Sequence, residues 1–98
     1  MAKKTYVSTE LTEAAKTFEE RSKVYGEAYR QHGDVMSALL PEGVELVEAL
    51  DYNRYGVLNM IVSKLVRYAH NFEEGGHKDS LHDISVYAAM LNDLDENG

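Results

Sequence analysis

The sequence predicts an all-α protein: a single-domain helical bundle of three long helices with one or two short ones. Apolar residues recur at three- and four-residue steps through three long stretches, the spacing of one helix face. Glycine, proline and acidic residues punctuate the chain at short connections, and strand signals are poor throughout. The chain has 98 residues, enough for one domain with a modest core, a size often helped by oligomerisation.

The first helix is expected from about Thr9 to Gln31. Leu11, Ala14, Ala15, Phe18, Ser22, Tyr25, Ala28, Tyr29 and His32 share a face. Ser8 or Thr9 can cap it, Glu10 and Glu13 suit its positive end, and Gly33 is the expected stop. Gly26 inside the stripe weakens it by roughly 1 kcal/mol relative to Ala. Asp34 then caps a short segment, Val35 to Leu40, ended by Pro41. Val44 to Leu50 has an ambiguous period and is read as a short helix. The next long helix runs from about Asp51 to Phe72, with Tyr52, Tyr55, Leu58, Ile61, Val62, Leu65, Tyr68, Ala69 and Phe72 inward. Glu73-Glu74-Gly75-Gly76 forms a turn. The last helix spans about Ser80 to Leu94, with Leu81, Ile84, Tyr87, Ala88, Leu91 and Leu94 inward. The ordered core is then about 9–94, and the tail from Asp95 is expected to fray. Helices of these lengths are marginal alone, so packing must hold them.

Composition excludes several classes. A formal net charge of −7 argues against sequence-independent binding to a nucleic acid polymer. It is compatible with a small phosphorylated ligand. Cysteine is absent, which removes disulfides, thiolate nucleophiles and Cys-type zinc sites. No apolar run approaches a membrane span, and none follows the basic Met1-Ala2-Lys3-Lys4, so a cytosolic location is expected. Seven tyrosines with no tryptophan place several hydroxyls on inward stripes, where each needs a partner or a wet cavity. There is no P-loop, GxGxxG or serine-nucleophile motif.

Two acidic pairs stand out. Asp79 and Asp83 lie four apart, and Glu45 and Glu48 three apart, so each pair shares a helix face. Four carboxylates from two antiparallel helices can converge on Mg²⁺, which takes octahedral oxygen ligands and bridges to phosphates. The competing reading is capping: Ser80-Leu81-His82-Asp83 has the form of a capping box, and Asp79 suits a positive helix end. Lys64 and Arg67, three apart, would suit a triphosphate, or serve as ordinary surface charge paired with Glu73 or Glu74. His77 or His82 beside an aspartate could bind a transition metal, whereas His70 near a helix end is more often a favourable end charge.

The order Arg21-x-x-x-Tyr25-Gly26, then Lys64-Leu65-x-Arg67, then His77-x-Asp79-Ser80-x-x-Asp83-Ile84-x-x-Tyr87-Ala88 resembles a group of small phage all-α domains related to nucleotide-modification-associated domain 1. Those in turn resemble MazG-like nucleoside triphosphate pyrophosphohydrolases. The resemblance covers roughly Thr12 to Leu94. It implies a bundle that assembles as a dimer or tetramer and a Mg²⁺-dependent nucleotide site lined by acids. Glu45-Leu46-Val47-Glu48 matches the family's ExxE motif, whereas the later ExxD motif is replaced here by Asp79-x-x-x-Asp83 or Ser80-x-x-Asp83.

The expected function is therefore hydrolysis of a possibly modified nucleoside triphosphate to its monophosphate and pyrophosphate. Mg²⁺ or Mn²⁺ would sit on Asp79 and Asp83, with Glu45 and Glu48 or an acid such as Glu20. One carboxylate among Asp79, Asp83 and Glu48 would act as general base, Lys64 and Arg67 would bind phosphate, and Tyr25 or Tyr87 would stack on the base. The alternative is a protein that binds or sequesters a nucleotide or nucleotide-derived signal without turnover. A third possibility is a purely structural or partner-binding bundle.

Overall fold

The computed structural model describes residues 2–26 and 28–98, without the side chains of 2–5, 24 and 25. It contains four α-helices and a 3-10 turn, with no strand among the described residues. They are α1 (Ala2–Tyr25), α2 (Ala28–Leu39), α3 (Ala49–His70), the 3-10 turn Phe72–Glu74, and α4 (Lys78–Asn97). No helix is long and apolar enough to cross a membrane.

The expected first helix is in fact two. It breaks at Gly26, not at Gly33, which lies inside α2. Gly26 takes φ 60°, left-handed backbone that favours glycine, and its N–H closes α1 on the Ser22 carbonyl at 2.9 Å. A Cβ at Gly26 would strike the His70 imidazole, whereas a Cβ at Gly33 would meet nothing within 4 Å. Tertiary contact therefore decides which glycine ends the helix. The expected segment Val35 to Leu40 is the end of α2.

Val44 to Val47 is not helical. The helix expected there begins at Ala49, because Glu48 is its N-cap and Asp51 completes a capping box. Asp51 Oδ2 accepts the backbone N–H groups of Glu48 at 3.0 Å and Val47 at 3.1 Å. Those two bonds hold the Asp51 carboxyl below the ordinary range, with a smaller assist from the Arg54 charge against a slight opposing effect of burial.

α4 starts before Ser80. Its N-cap is His77, and Ser80 is the third helical residue, 0% exposed, with Oγ 2.6 Å from His77 Nδ1. The capping box expected of Ser80 and Asp83 does not form, because Ser80 lies within the first turn and Asp83 reaches α3 instead. The tail is helical to Asn97, where Gly98 N–H meets the Leu94 carbonyl at 3.0 Å and Asn97 Nδ2 donates to Asp93 at 2.8 Å.

α3 and α4 form an antiparallel hairpin about the Phe72–Gly76 turn. Two ion pairs fix its register: Arg54 Nε to Asp95 at 2.7 Å, and Lys64 Nζ to Asp83 at 3.1 Å. α2 packs on the other side of α3. The core at that junction is small: Met36, Val62 and Val66 are buried, with Ala28, Val35, Leu40, Tyr55 and Leu58 against them. The inward stripe of α3 is thus Tyr55, Leu58, Val62 and Val66. Tyr52, Leu65 and Phe72, expected inside, are exposed. α1 meets the rest of the chain mainly through α3 and is exposed along most of its length. The radius of gyration, 17.2 Å, exceeds the ~13 Å of a compact 100-residue domain because α1 projects from the body.

Candidate functional site

A groove of about 810 Å³ lies where α1, α2 and α3 meet, reached also by Tyr87 of α4. Helix periodicity explains its wall on α3. Asn59, Ser63 and Arg67 follow one another at four-residue steps, one turn apart on one face, with Lys64 and Met60 alongside. α1 contributes Ala14, Phe18 and Arg21, and α2 contributes Tyr29 and His32.

The groove has a cationic and an aromatic part. Arg21, Lys64 and Arg67 are its charged lining, and no carboxylate lines it among the described residues. In a chain of net charge −7, this segregates positive potential into one concave surface, where low-dielectric walls strengthen attraction for an anion. Lys64 is mostly covered, 18% exposed, and is held by Asp83, which is 38% exposed. The aromatic part is an edge-to-face pair, Phe18 with Tyr29, ring centroids 6.1 Å apart. The Arg30 guanidinium lies 5.9 Å from the Tyr29 ring centroid.

One wall position has a fixed hydrogen-bond polarity. Asn59 Nδ2 donates to the Tyr55 carbonyl at 2.9 Å, which turns its Oδ1 toward His32. His32 Nε2 lies 2.6 Å from that oxygen and must therefore carry the proton.

Of the residues singled out in the sequence, the structure brings together Lys64, Arg67, Tyr87 and, through its ion pair, Asp83. The Tyr25 side chain lies outside the described residues. Asp79 is exposed in the first turn of α4, one turn before Asp83. Glu45 and Glu48 are elsewhere. Arg54 opposite Asp95 and Lys64 opposite Asp83 put the start of α3 beside the end of α4, so Glu48 is ~24 Å along the helix axis from the level of Asp83. Convergence of the four carboxylates is thus not found within this chain: the antiparallel hairpin places the two pairs at opposite ends. Glu45 lines a smaller hollow of about 220 Å³ with Asp51, Arg54 and Asp95, where the Arg54–Asp95 pair neutralises part of the charge. Among the described residues no group of three or more His, Asp or Glu side chains is placed to hold a metal ion. Two carboxylates, one of them committed to Lys64, are a poor donor set for Mg²⁺ or Mn²⁺, which take six oxygen ligands.

The sequence assigns no role to Asn59 or Ser63, and places Tyr29 only as one of the inward tyrosines. The available signal was a polar row, Asn59 and Ser63, running through the apolar pattern of α3 toward Arg67. Comparison with known protein families, with characterised proteins and with solved structures yields no match.

Proposed function

We propose that this protein binds a nucleotide, or a nucleotide-derived signal, in the cationic groove and holds it without turnover. The observation that carries this reading is the groove's chemistry: three cations beside tyrosine rings, with no lining carboxylate among the described residues. Lys64 and Arg67, three apart on α3, and Arg21 facing them from α1 offer charge-assisted hydrogen bonds to adjacent phosphates. The guanidinium forks suit bidentate phosphate contacts. Tyr29 and Tyr87 offer ring faces for a base. The volume suits a ligand of that size. The resemblance to MazG-like and phage nucleotide domains supports the same ligand class. Self-association belongs to this proposal too, since the three buried apolar side chains among the described residues make a small core.

A second reading, hydrolysis of a nucleoside triphosphate to monophosphate and pyrophosphate, rests on Asp83 at the groove edge with Asp79 one turn away. Calorimetric titration of ATP and dATP, in EDTA and in Mg²⁺, separates the two when run beside a pyrophosphate-release assay. The binding reading expects comparable affinity in both media, no product, and at least a tenfold loss in Lys64→Ala or Arg67→Ala, the ~1.5–3 kcal/mol of a charged hydrogen bond. Pyrophosphate release dependent on Mg²⁺ or Mn²⁺ would establish hydrolysis. Absence of binding by any nucleotide tested, with well-folded protein, would remove both.

A further inference from the structure

α1 is a 24-residue helix that its own chain leaves largely uncovered. Its exposure is not random. Val7, Leu11, Ala14 and Phe18 are spaced by four, three and four residues, the seam of a two-helix coiled coil. Leu11 is 66% exposed, and Val7 and Phe18 are more than half exposed. Lys16, Glu20 and Lys23 lie on the opposite side of the helix and Glu13 and Glu19 on its flanks, whereas Glu10 and Arg21 border the seam along one edge. The rest of the border is small or uncharged Ser8, Ala15, Thr17 and Ser22, which permit close approach by another helix. A polar face of mixed charge, Glu13, Glu19 and Glu20 with Lys16 and Lys23, is a pattern for a protein surface, not for a membrane, where the polar face is typically rich in lysine and arginine.

The two halves of the seam differ. Ala14, Phe18 and Arg21 line the groove, whereas Val7 and Leu11 extend past it and are more than half exposed. Every copy therefore carries one uncovered apolar half and one half-walled groove, complementary surfaces on a single helix. Antiparallel pairing satisfies both at once, and a two-fold interface of this kind is self-complementary. The register that sets Phe18 opposite the small Ala14 puts Leu11 against the aliphatic stem of Arg21 of the other helix. Phe18 and Tyr29, both large aromatics more than half exposed, would add substantially to the ~800 Å² per partner of a standard interface.

We propose that α1 pairs antiparallel with α1 of a second copy of this chain, Phe18 of each seated over Ala14 of the other, so that the second copy's helix forms the missing wall of the cationic groove. The groove as a ligand site rests on the function proposed above; the pairing does not. The absence of cysteine makes the test direct, because any introduced thiol is unique. The chain should sediment as a dimer at low-micromolar concentration, and Leu11→Asp should be monomeric with unchanged helical circular dichroism. In the proposed register the two Ala14 positions are offset by ~6 Å along the axis and the two Val7 positions by ~27 Å. A short bis-maleimide should therefore join Ala14→Cys to itself and leave Val7→Cys unjoined. A Ser63→Cys thiol on the groove wall should react with maleimide roughly tenfold faster in the Leu11→Asp background than without it, since labelling follows the open population. A monomeric wild type, crosslinking at both positions 7 and 14 (a parallel pair), or equal Ser63→Cys labelling in the two backgrounds would each overturn the proposal. None of these readouts uses nucleotide, so failure of nucleotide binding and failure of the pairing are separate results.

Discussion

Replacing Asp83 by asparagine separates binding from hydrolysis more sharply than any other single change. The side chain keeps its size and loses its charge, and with it the 3.1 Å pair to Lys64. Bare Coulomb attraction at that distance is ~5 kcal/mol at an effective dielectric of 20 and ~1.3 kcal/mol in bulk water. Asp83 is 38% exposed and Lys64 18%, so solvent screening and lost side-chain freedom leave a net of ~1 kcal/mol, the upper end for exposed pairs. In the binding reading a phosphate competes with Asp83 for the Lys64 ammonium. Removing the competitor should tighten nucleotide binding about three- to fivefold, the equivalent of ~1 kcal/mol at most. The same loss of the pair should lower the melting temperature by no more than ~4–8 °C. Titration of wild type and Asp83→Asn with a fluorescent ATP analogue, in EDTA and in Mg²⁺, reads the effect. Weaker binding by Asp83→Asn in Mg²⁺, with no change in EDTA, would refute the reasoning and make Asp83 a metal-bridged ligand of the phosphates.

Further outcomes follow from the fold. Val62→Ala removes two methyl groups from the most buried apolar side chain, 1% exposed, and should cost ~1.5–3 kcal/mol by chemical denaturation; a loss below ~0.5 kcal/mol would mean that this junction is not the core. Gly26→Ala places a Cβ in left-handed backbone against the His70 ring and should destabilise by at least ~1–2 kcal/mol, whereas Gly33→Ala, in an open helical site, should be neutral or stabilising. Asp51 is more acidic folded than unfolded, so its contribution is fully present above about pH 4, the unfolded value, and fades as pH falls through the lower folded value. Asp51→Asn should accordingly be less stable than wild type at neutral pH, with the gap closing below pH 4; a constant gap would contradict the capping role.

The parts of the fold legible in the sequence are those where local signals agree. α3 and α4 carry continuous helical patterns separated by Gly75-Gly76, which takes the positive φ angles of a turn, and both helices appear near their expected bounds. The break between α1 and α2 was misplaced because two glycines compete in the sequence and only His70, more than forty residues away in the chain, selects Gly26. Glu48-Ala49-Leu50-Asp51 is a legible helix start, but the apolar residues before it, Val44 and Val47, masked it by suggesting an earlier helix. At the groove, Lys64 and Arg67 were legible as a pair because three-residue spacing fixes a shared face. Asp83 stands out in the sequence as one of an acidic pair but not as the partner of Lys64, since that contact depends on hairpin register. Spacing puts Glu45 with Glu48 and Asp79 with Asp83 but carries no register between the helices, and the register of the hairpin sets the two pairs at opposite ends.

The two ion pairs of the α3–α4 hairpin lie ten residues apart on α3 and twelve on α4, so neither rod can slide along the other without breaking both. The hairpin is thus held in one register, whereas α1 is joined to it through the left-handed turn at Gly26 and meets it over a small area. Amide exchange should accordingly be slowest along the hairpin, where sliding would cost both ion pairs at once.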